Sequence, residues 1–180
     1  KAVVTSFQTQ LACEGFGIPV YTLNDKCIGG HLDLSIDGAD EIDQKNNLIK
    51  GGGAAHLREK LVEYNSSFLA IVADSSKDVQ SLGTKFPLPV EVISDARVPV
   101  IKELEKLGAS CVLREGVKKA GPVITDNGNM ILDCTWKAPV DPAEMEEKIN
   151  KITGVVECGF FTKIHPVAFI AREDGTVTVR

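Results

Sequence analysis

Positive charge is in short supply in this chain. Its 180 residues hold 20 Lys and Arg against 25 Asp and Glu, a net charge of −5. Nucleic acids and anionic membranes are bound through a basic face, so neither is expected as a partner. A local basic pocket for a small phosphate stays open. Long apolar runs are also missing: none approaches the ~20 residues that span a bilayer, and no signal peptide is expected. The five cysteines (Cys13, Cys27, Cys111, Cys134, Cys158) show no C-x-x-C spacing, and His31, His56 and His165 are scattered. No zinc pattern results, no metal is expected, and reduced thiols of a cytoplasmic protein are the expectation. Nucleotide loops are lacking as well. No G-K-[ST] occurs, and Gly51-x-Gly53-x-x-His56 has histidine where the dinucleotide fingerprint needs its last glycine. There is no internal repeat and no low-complexity segment. The chain does not begin with Met and enters a strand-like run, Ala2-Val3-Val4, at once. Domains seldom start so abruptly, so further residues are expected ahead of Lys1.

What is there follows an α/β rhythm. Apolar residues make up 43% and charged ones 25%, the balance of a soluble globular chain. Thr5 or Ser6 caps a helix to Glu14, which Gly15 and Gly17 stop. Ile18 to Leu23 reads as a strand. Strict alternation in His31 to Asp37 predicts a strand with Leu32, Leu34 and Ile36 on one face and Asp33, Ser35 and Asp37 on the other. Asn47 to Lys50 is a short strand before three glycines. Ala54 to Tyr64 reads as a helix whose apolar stripe is Ala54, Leu57, Leu61 and Tyr64. Phe68 to Ala73 is continuously apolar, as in a strand buried on both faces of a parallel sheet. Ligands bind beyond the carboxyl ends of strands in such sheets. Three of these expected ends carry Asp37, Lys50 and Lys77.

Gly83 to Pro89 reads as a boundary, and the rhythm then changes. Val90 to Ile93 is a strand. Ser94 or Asp95 caps a helix to Leu107, and Ala109 to Leu113 is a strand. Val123 to Thr125 and Met130 to Cys134 are expected to pair as a hairpin around Asp126-Asn127-Gly128. Asp141 caps a helix that Pro142 opens and that runs to Lys151; Val155 to Cys158 is a strand. The order is close to β-α-β-β-α-β, the ferredoxin-like pattern. A last hairpin, Val167 to Arg172 with Thr176 to Val179, can return to the first sheet.

Chemistry concentrates between Ile36 and Lys60. Gly51, Gly52 and Gly53 stand between a strand and a helix, where backbone N–H groups can face an anion; a tight turn alone would also use them. Lys50 abuts these glycines. A lysine at a strand end is commonly a solvated charge, but here it can stabilise negative charge that develops on an oxygen. Asp37 and Asp40, in Asp-Gly-Ala-Asp, can cap their own turn or hold sugar hydroxyls and relay protons between them. Glu59 lies on the helix after the glycines. Read alone it is a surface charge between Arg58 and Lys60; its spacing lets a second helical turn stand beside the site, where it can act as a general base. Lys77 follows Ser75-Ser76, and a cation with hydroxyls suits phosphate. Glu41 and Asp43 read as solvated loop charges, and the histidines receive no chemistry.

Taken together, D-G-A-D-E, the K-G-G-G-A-A-x-x-R-E-K run, A-D-S-S-K, K-F-P-L-P-V-E-V-I, T-D-N-G-N-M-I-L-D and G-V-V-E-C-G-F-F resemble the ribose-5-phosphate isomerase type A family over nearly the whole chain. The resemblance implies interconversion of ribose 5-phosphate and ribulose 5-phosphate through an enediol, in the pentose phosphate pathway, with neither metal nor organic cofactor. It implies Glu59 as the group that moves the carbon-bound proton. Asp37 would manage hydroxyl protons and ring opening, Lys50 would stabilise the enediolate, and Asp40 would bind sugar hydroxyls. Gly51, Gly52, Gly53 and Lys77 would line the substrate site. It further implies a homo-oligomer, commonly a dimer, and a Rossmann-like domain with an inserted ferredoxin-like domain. The expected division is 1–85 with 162–180 for the first and 86–161 for the second. The family's G-x-G-T-G-S-T phosphate loop has no counterpart here, so about forty residues are expected to precede Lys1. Without that loop the chain would show weak or no activity. A reading from another class is a sugar-phosphate-binding sensor domain, which needs the pocket but no base at Glu59.

Overall fold

The computed structural model describes residues 1–118 and 120–180. Its elements in chain order are β1 (Ala2–Val3), α1 (Phe7–Gly15), β2 (Val20–Tyr21), β3 (Ser35–Asp37), β4 (Glu41–Ile42), β5 (Leu48–Ile49), α2 (His56–Glu63), β6 (Leu69–Asp74), β7 (Leu88–Val92), α3 (Arg97–Lys106), β8 (Ser110–Leu113), β9 (Met130–Thr135), α4 (Pro142–Asn150), β10 (Val155–Cys158), β11 (Phe160–Phe161), β12 (Val167–Ala171) and β13 (Val177–Val179). Ser6 caps α1 through its side chain, and Asp141 caps α4 in the same way, with Pro142 in the first turn. Among the described residues no helix is long and apolar enough to cross a membrane.

The sheets sort the chain into an α/β part and a ferredoxin-like part. In the order β13-β12-β6-β3, β6 runs parallel to both β3 and β12, and β13 closes one edge antiparallel. The last hairpin therefore does return to the first sheet. The order β10-β7-β9-β8 is antiparallel throughout, and with α3 and α4 it is the ferredoxin-like arrangement. Between them lies a small antiparallel sheet, β11-β5-β4. Neighbouring side chains on a strand point to opposite faces, and this small sheet uses that rule to join two cores. Leu48 and Phe161 enter the core with Ile42, Ile71 and Ile170; Ile49 and Phe160 enter the core with Leu88, Val90, Leu104 and Leu132.

Several expectations need correction. β5 belongs to the antiparallel sheet, so Lys50 does not end a strand of the parallel one. The arm expected at Val123 to Thr125 makes only an isolated bridge from Ile124 to Met130; β9 pairs with β8 instead. The alternation of residues 31–37 holds only over the three residues of β3, and its apolar face is bare: Leu34 and Ile36 are exposed while Ser35 is buried. β3 is an edge strand paired only with β6, and α1 buries none of its residues. β6 is likewise not covered on both faces, because Val72 is exposed. Glu41 is fully buried and accepts the N–H groups of Gly83, Lys85 and Phe86, fastening the loop before β7. Asp43 is buried too, and its carboxylate closes the turn to Asn47.

The largest correction concerns α2. Its buried face is His56, Lys60, Val62 and Glu63, and Leu61 is exposed. A helix normally buries its apolar stripe. This one lies between the candidate site and the ferredoxin-like part, and the partners waiting on both sides are charged.

Candidate active site

Asp37 ends β3 and Asp40 follows in the turn that leads to β4. Lys50 follows β5, the glycines come next, and Glu59 sits on α2. Between them is a cavity of about 230 Å³ lined by Asp37 to Asp40, Lys50 to Gly53, and Glu59. The structure thus brings together Asp37, Asp40, Lys50, all three glycines and Glu59. Lys77 lies in the turn after β6, outside that lining.

Lys50 is the hub. Its side chain is 3% exposed, and its ammonium lies 3.0 Å from Asp37, 3.0 Å from Glu63 and 3.6 Å from Glu59. It also donates to the Gly38 carbonyl at 2.7 Å. Burial favours the neutral amine, but Glu63, Glu59 and Asp37 outweigh it and raise the pKa, so the lysine stays charged. Glu59 is raised as well, which favours its neutral acid. Burial raises its carboxyl above the usual range against the pull of Lys50, and the charges of Asp37 and Asp40 add to the rise. A carboxylate so lifted is a better base towards a carbon-bound proton.

The glycine run is shaped by close approach. Asp40 accepts the Gly52 N–H at 2.7 Å, and a Cβ on Gly52 would stand 2.6 Å from the same carboxylate. Gly51 takes φ +108 with the His56 ring packed behind it. Gly53 faces open space. Ala54 then holds φ 61, a left-handed conformation that costs a non-glycine residue energy and is kept where the surroundings enforce it. His56 is fully buried, and burial lowers its pKa to about 4, so it is neutral behind the loop.

Glu63 is a further residue of the cluster that no sequence motif marks. It stands four residues beyond Glu59, one turn along the same helix face, and that spacing was the available signal. It is 1% exposed, and burial lifts its pKa to about 8, with Lys50 opposing and Asp37 adding to the rise. Among the described residues no three His, Cys, Asp or Glu side chains are grouped as metal ligands. The carboxylates here converge on an ammonium.

Such a cavity can take a proton from carbon, steady the negative charge left on oxygen, and move hydroxyl protons between neighbouring oxygens. A carbonyl and an adjacent hydroxyl exchange places by those steps, so fold and site together define an aldose–ketose isomerase. The sequence profile of the family described as Ribose 5-phosphate isomerase A (phosphoriboisomerase A) matches residues 1–175. The ribose-5-phosphate isomerase A of Treponema denticola is 57% identical over 178 residues, which is 98% of this chain and 74% of that protein. That of Treponema pallidum is 50% identical, over 99% of this chain and 71% of its own length. Among solved structures, ribose 5-phosphate isomerase A from Methanocaldococcus jannaschii superposes with a TM-score of 0.90 at 42% identity, over 99% of this chain and 76% of that one. A D-ribose-5-phosphate isomerase in complex with phospho-erythronic acid gives 0.91 at 40% identity, over 99% and 77%. The chain belongs to the ribose-5-phosphate isomerase A family.

Proposed function

We propose that this protein interconverts ribose 5-phosphate and ribulose 5-phosphate, with Glu59 as the base, Lys50 as the charge-stabilising cation and Asp37 as the hydroxyl proton carrier. The observation that carries the assignment of roles is the Lys50 ammonium at the cavity, within 3.6 Å of both Asp37 and Glu59. In the forward direction Glu59 takes the proton from C2 of the open-chain aldose. The C–H electrons form the C1=C2 bond, and the carbonyl electrons move onto O1. Lys50 offsets the charge on that oxygen, a contribution realised only as the charge forms. The carboxyl of Glu59 then returns the proton to C1, while Asp37 passes the O2 proton to O1. Aldose and ketose are isomers, so the balance needs neither an oxidant nor an organic cofactor. Asp40 and the Gly51 to Gly53 loop would hold the sugar, and Lys77 would contact it from beyond the end of β6.

The same reading extends to a homodimer and to a cytoplasmic setting. The family resemblance supports the first. Five cysteines without a disulfide among them support the second. Sedimentation at the mass of a single copy would remove the dimer.

The test of the chemistry is turnover of ribose 5-phosphate by the protein beside Glu59→Gln. A general base typically contributes ~10²–10⁴-fold, so the variant should lose that much in kcat. Equal rates in the two proteins would remove Glu59 from the role. A wild type that binds the sugar phosphate without turning it over would favour the sensor reading.

A further inference from the structure

The glycine loop is held from outside its own part of the fold. Arg114 comes directly after β8, and its Nη1 donates to the Gly51 carbonyl at 2.9 Å and the Gly52 carbonyl at 3.0 Å. The rest of the guanidinium is fixed by Asp133 on the neighbouring strand β9, through Nε at 2.9 Å and Nη2 at 2.5 Å. Both side chains are largely buried. The two residues that flank Glu59 are tied to the same part of the molecule. Arg58 donates to Asn127 and to the Asp126 carbonyl, and Lys60 is buried against Glu146 and Glu157.

A planar trans peptide carries its N–H opposite its carbonyl. A guanidinium that holds the carbonyls of Gly51 and Gly52 therefore turns the N–H groups of Gly52 and Gly53 the other way. The Gly52 N–H meets Asp40, and Gly53 lines the cavity. Only a planar fork with several donors can grip a carboxylate on one edge and two carbonyls on another; a lysine ammonium is a point charge without that geometry. Ordinary loop anchoring would need neither the second carbonyl nor the carboxylate behind the arginine.

We propose that Arg114, held by Asp133, is a positioning residue for the isomerase reaction, aiming the Gly51 to Gly53 peptides and with them Asp40 at the substrate. This rests on the isomerase reading above. The ferredoxin-like part thereby supplies a working component of a cavity to which it contributes no lining residue among the described ones.

The experiment compares wild type with Arg114→Met, and with Arg114→Met/Asp133→Leu, which removes the carboxylate left unpaired. Displacement of a site by an ångström can cost ~10²-fold, so kcat should fall about 10- to 100-fold in both variants, counted per folded molecule, with KM shifted less than about threefold. Amide exchange of residues 47–58, read without substrate, should quicken in both. Recovery of kcat in the double variant would assign the loss to the unpaired charge and overturn the proposal; so would a loss confined to KM. A wild type inactive on ribose 5-phosphate would defeat the isomerase reading instead. In that event exchange alone decides, and unchanged exchange over 47–58 in Arg114→Met overturns the positioning role.

Discussion

Lys50 and Lys60 make an instructive pair. They lie ten residues apart, both are buried, both are surrounded by carboxylates, and both ammonium groups sit near the ring of Phe161, at 5.6 Å and 4.8 Å. Their surroundings differ in completeness. Lys60 has three donors and three acceptors: Glu146 at 3.0 Å, Glu157 at 2.8 Å and the Cys158 carbonyl at 2.8 Å. Glu146 is finished off by Tyr64 and Thr162. Around Lys50, among the described residues, Glu63 meets the ammonium at 3.0 Å without a well-aligned hydrogen bond, and Glu59 Oε2 stands 3.6 Å away. One cluster is closed by well-aligned hydrogen bonds; the other is less completely hydrogen-bonded and opens on a cavity. The same ingredients hold two parts of a fold together in the first case and, on the proposed function, move protons in the second.

The comparison breaks most visibly at Lys60. Lys60→Met strands the buried Glu146 and takes a partner from the half-buried Glu157, and removing one partner of a buried pair costs ~3–5 kcal/mol. Urea unfolding should show a loss of that order, while kcat per folded molecule falls less than about tenfold. A variant that unfolds like wild type but loses most of its turnover would place Lys60 in the reaction and erase the distinction. Lys50→Met should behave in the reverse sense. Loss of a donor to a developing oxyanion costs ~10²–10³ in kcat, with KM little changed because the charge is absent from the ground state. Its stability loss should be smaller than that of Lys60→Met, since its carboxylate neighbours can take up protons. A stability loss equal to that of Lys60→Met, with kcat retained, would make the two lysines alike.

How far the sequence discloses this depends on what each residue answers to. The α/β and ferredoxin-like halves were legible because turn residues and β-rich runs are local signals; Asp141-Pro142 and Asp126-Asn127-Gly128 mark their places unaided. The grouping of Asp37, Asp40, Lys50 and Glu59 was legible from spacing and from family motifs. The direction of α2 was not. Apolar periodicity picked Leu57 and Leu61, whereas the helix buries Lys60 and Glu63, whose partners Glu146, Glu157 and Lys50 come from other elements. Glu41 was lost for the same reason: its three backbone donors lie beyond residue 82. Arg114 carries no local mark at all, because its meaning comes from a loop sixty-two residues earlier.

The smallest effect at neutral pH, and the finest test of the contrast, is expected from Glu63→Gln. Burial raises the Glu63 pKa to about 8 from its ordinary value of 4.5, with Lys50 opposing and Asp37 adding to the rise. Near pH 7 the folded protein therefore holds a proton there that the unfolded chain has given up. Stability linked to that proton is fully present below pH ~4.5 and is lost as pH rises towards 8, at up to about 1.4 kcal/mol per pH unit. Glutamine is neutral throughout and has no such slope. The groups that face Glu63 are Lys50 from the end of β5, Asp37 from β3 and Glu59 from its own helix. Lys50 stays charged across the window, and the lifted Glu59 adds a slope of the same sign in both proteins. His56, with its pKa lowered by burial to about 4, adds the opposite sign as pH rises through 4 to 6.5, again in both. The difference between the two unfolding curves from pH 5 to 8.5 thus isolates Glu63. Wild type should lose ground to the variant as pH rises, while kcat at pH 7 differs less than about threefold, because glutamine mimics the protonated acid. Parallel curves would mean that Glu63 is ionised in the folded protein and that the Lys50 cluster is as fully paired as that of Lys60.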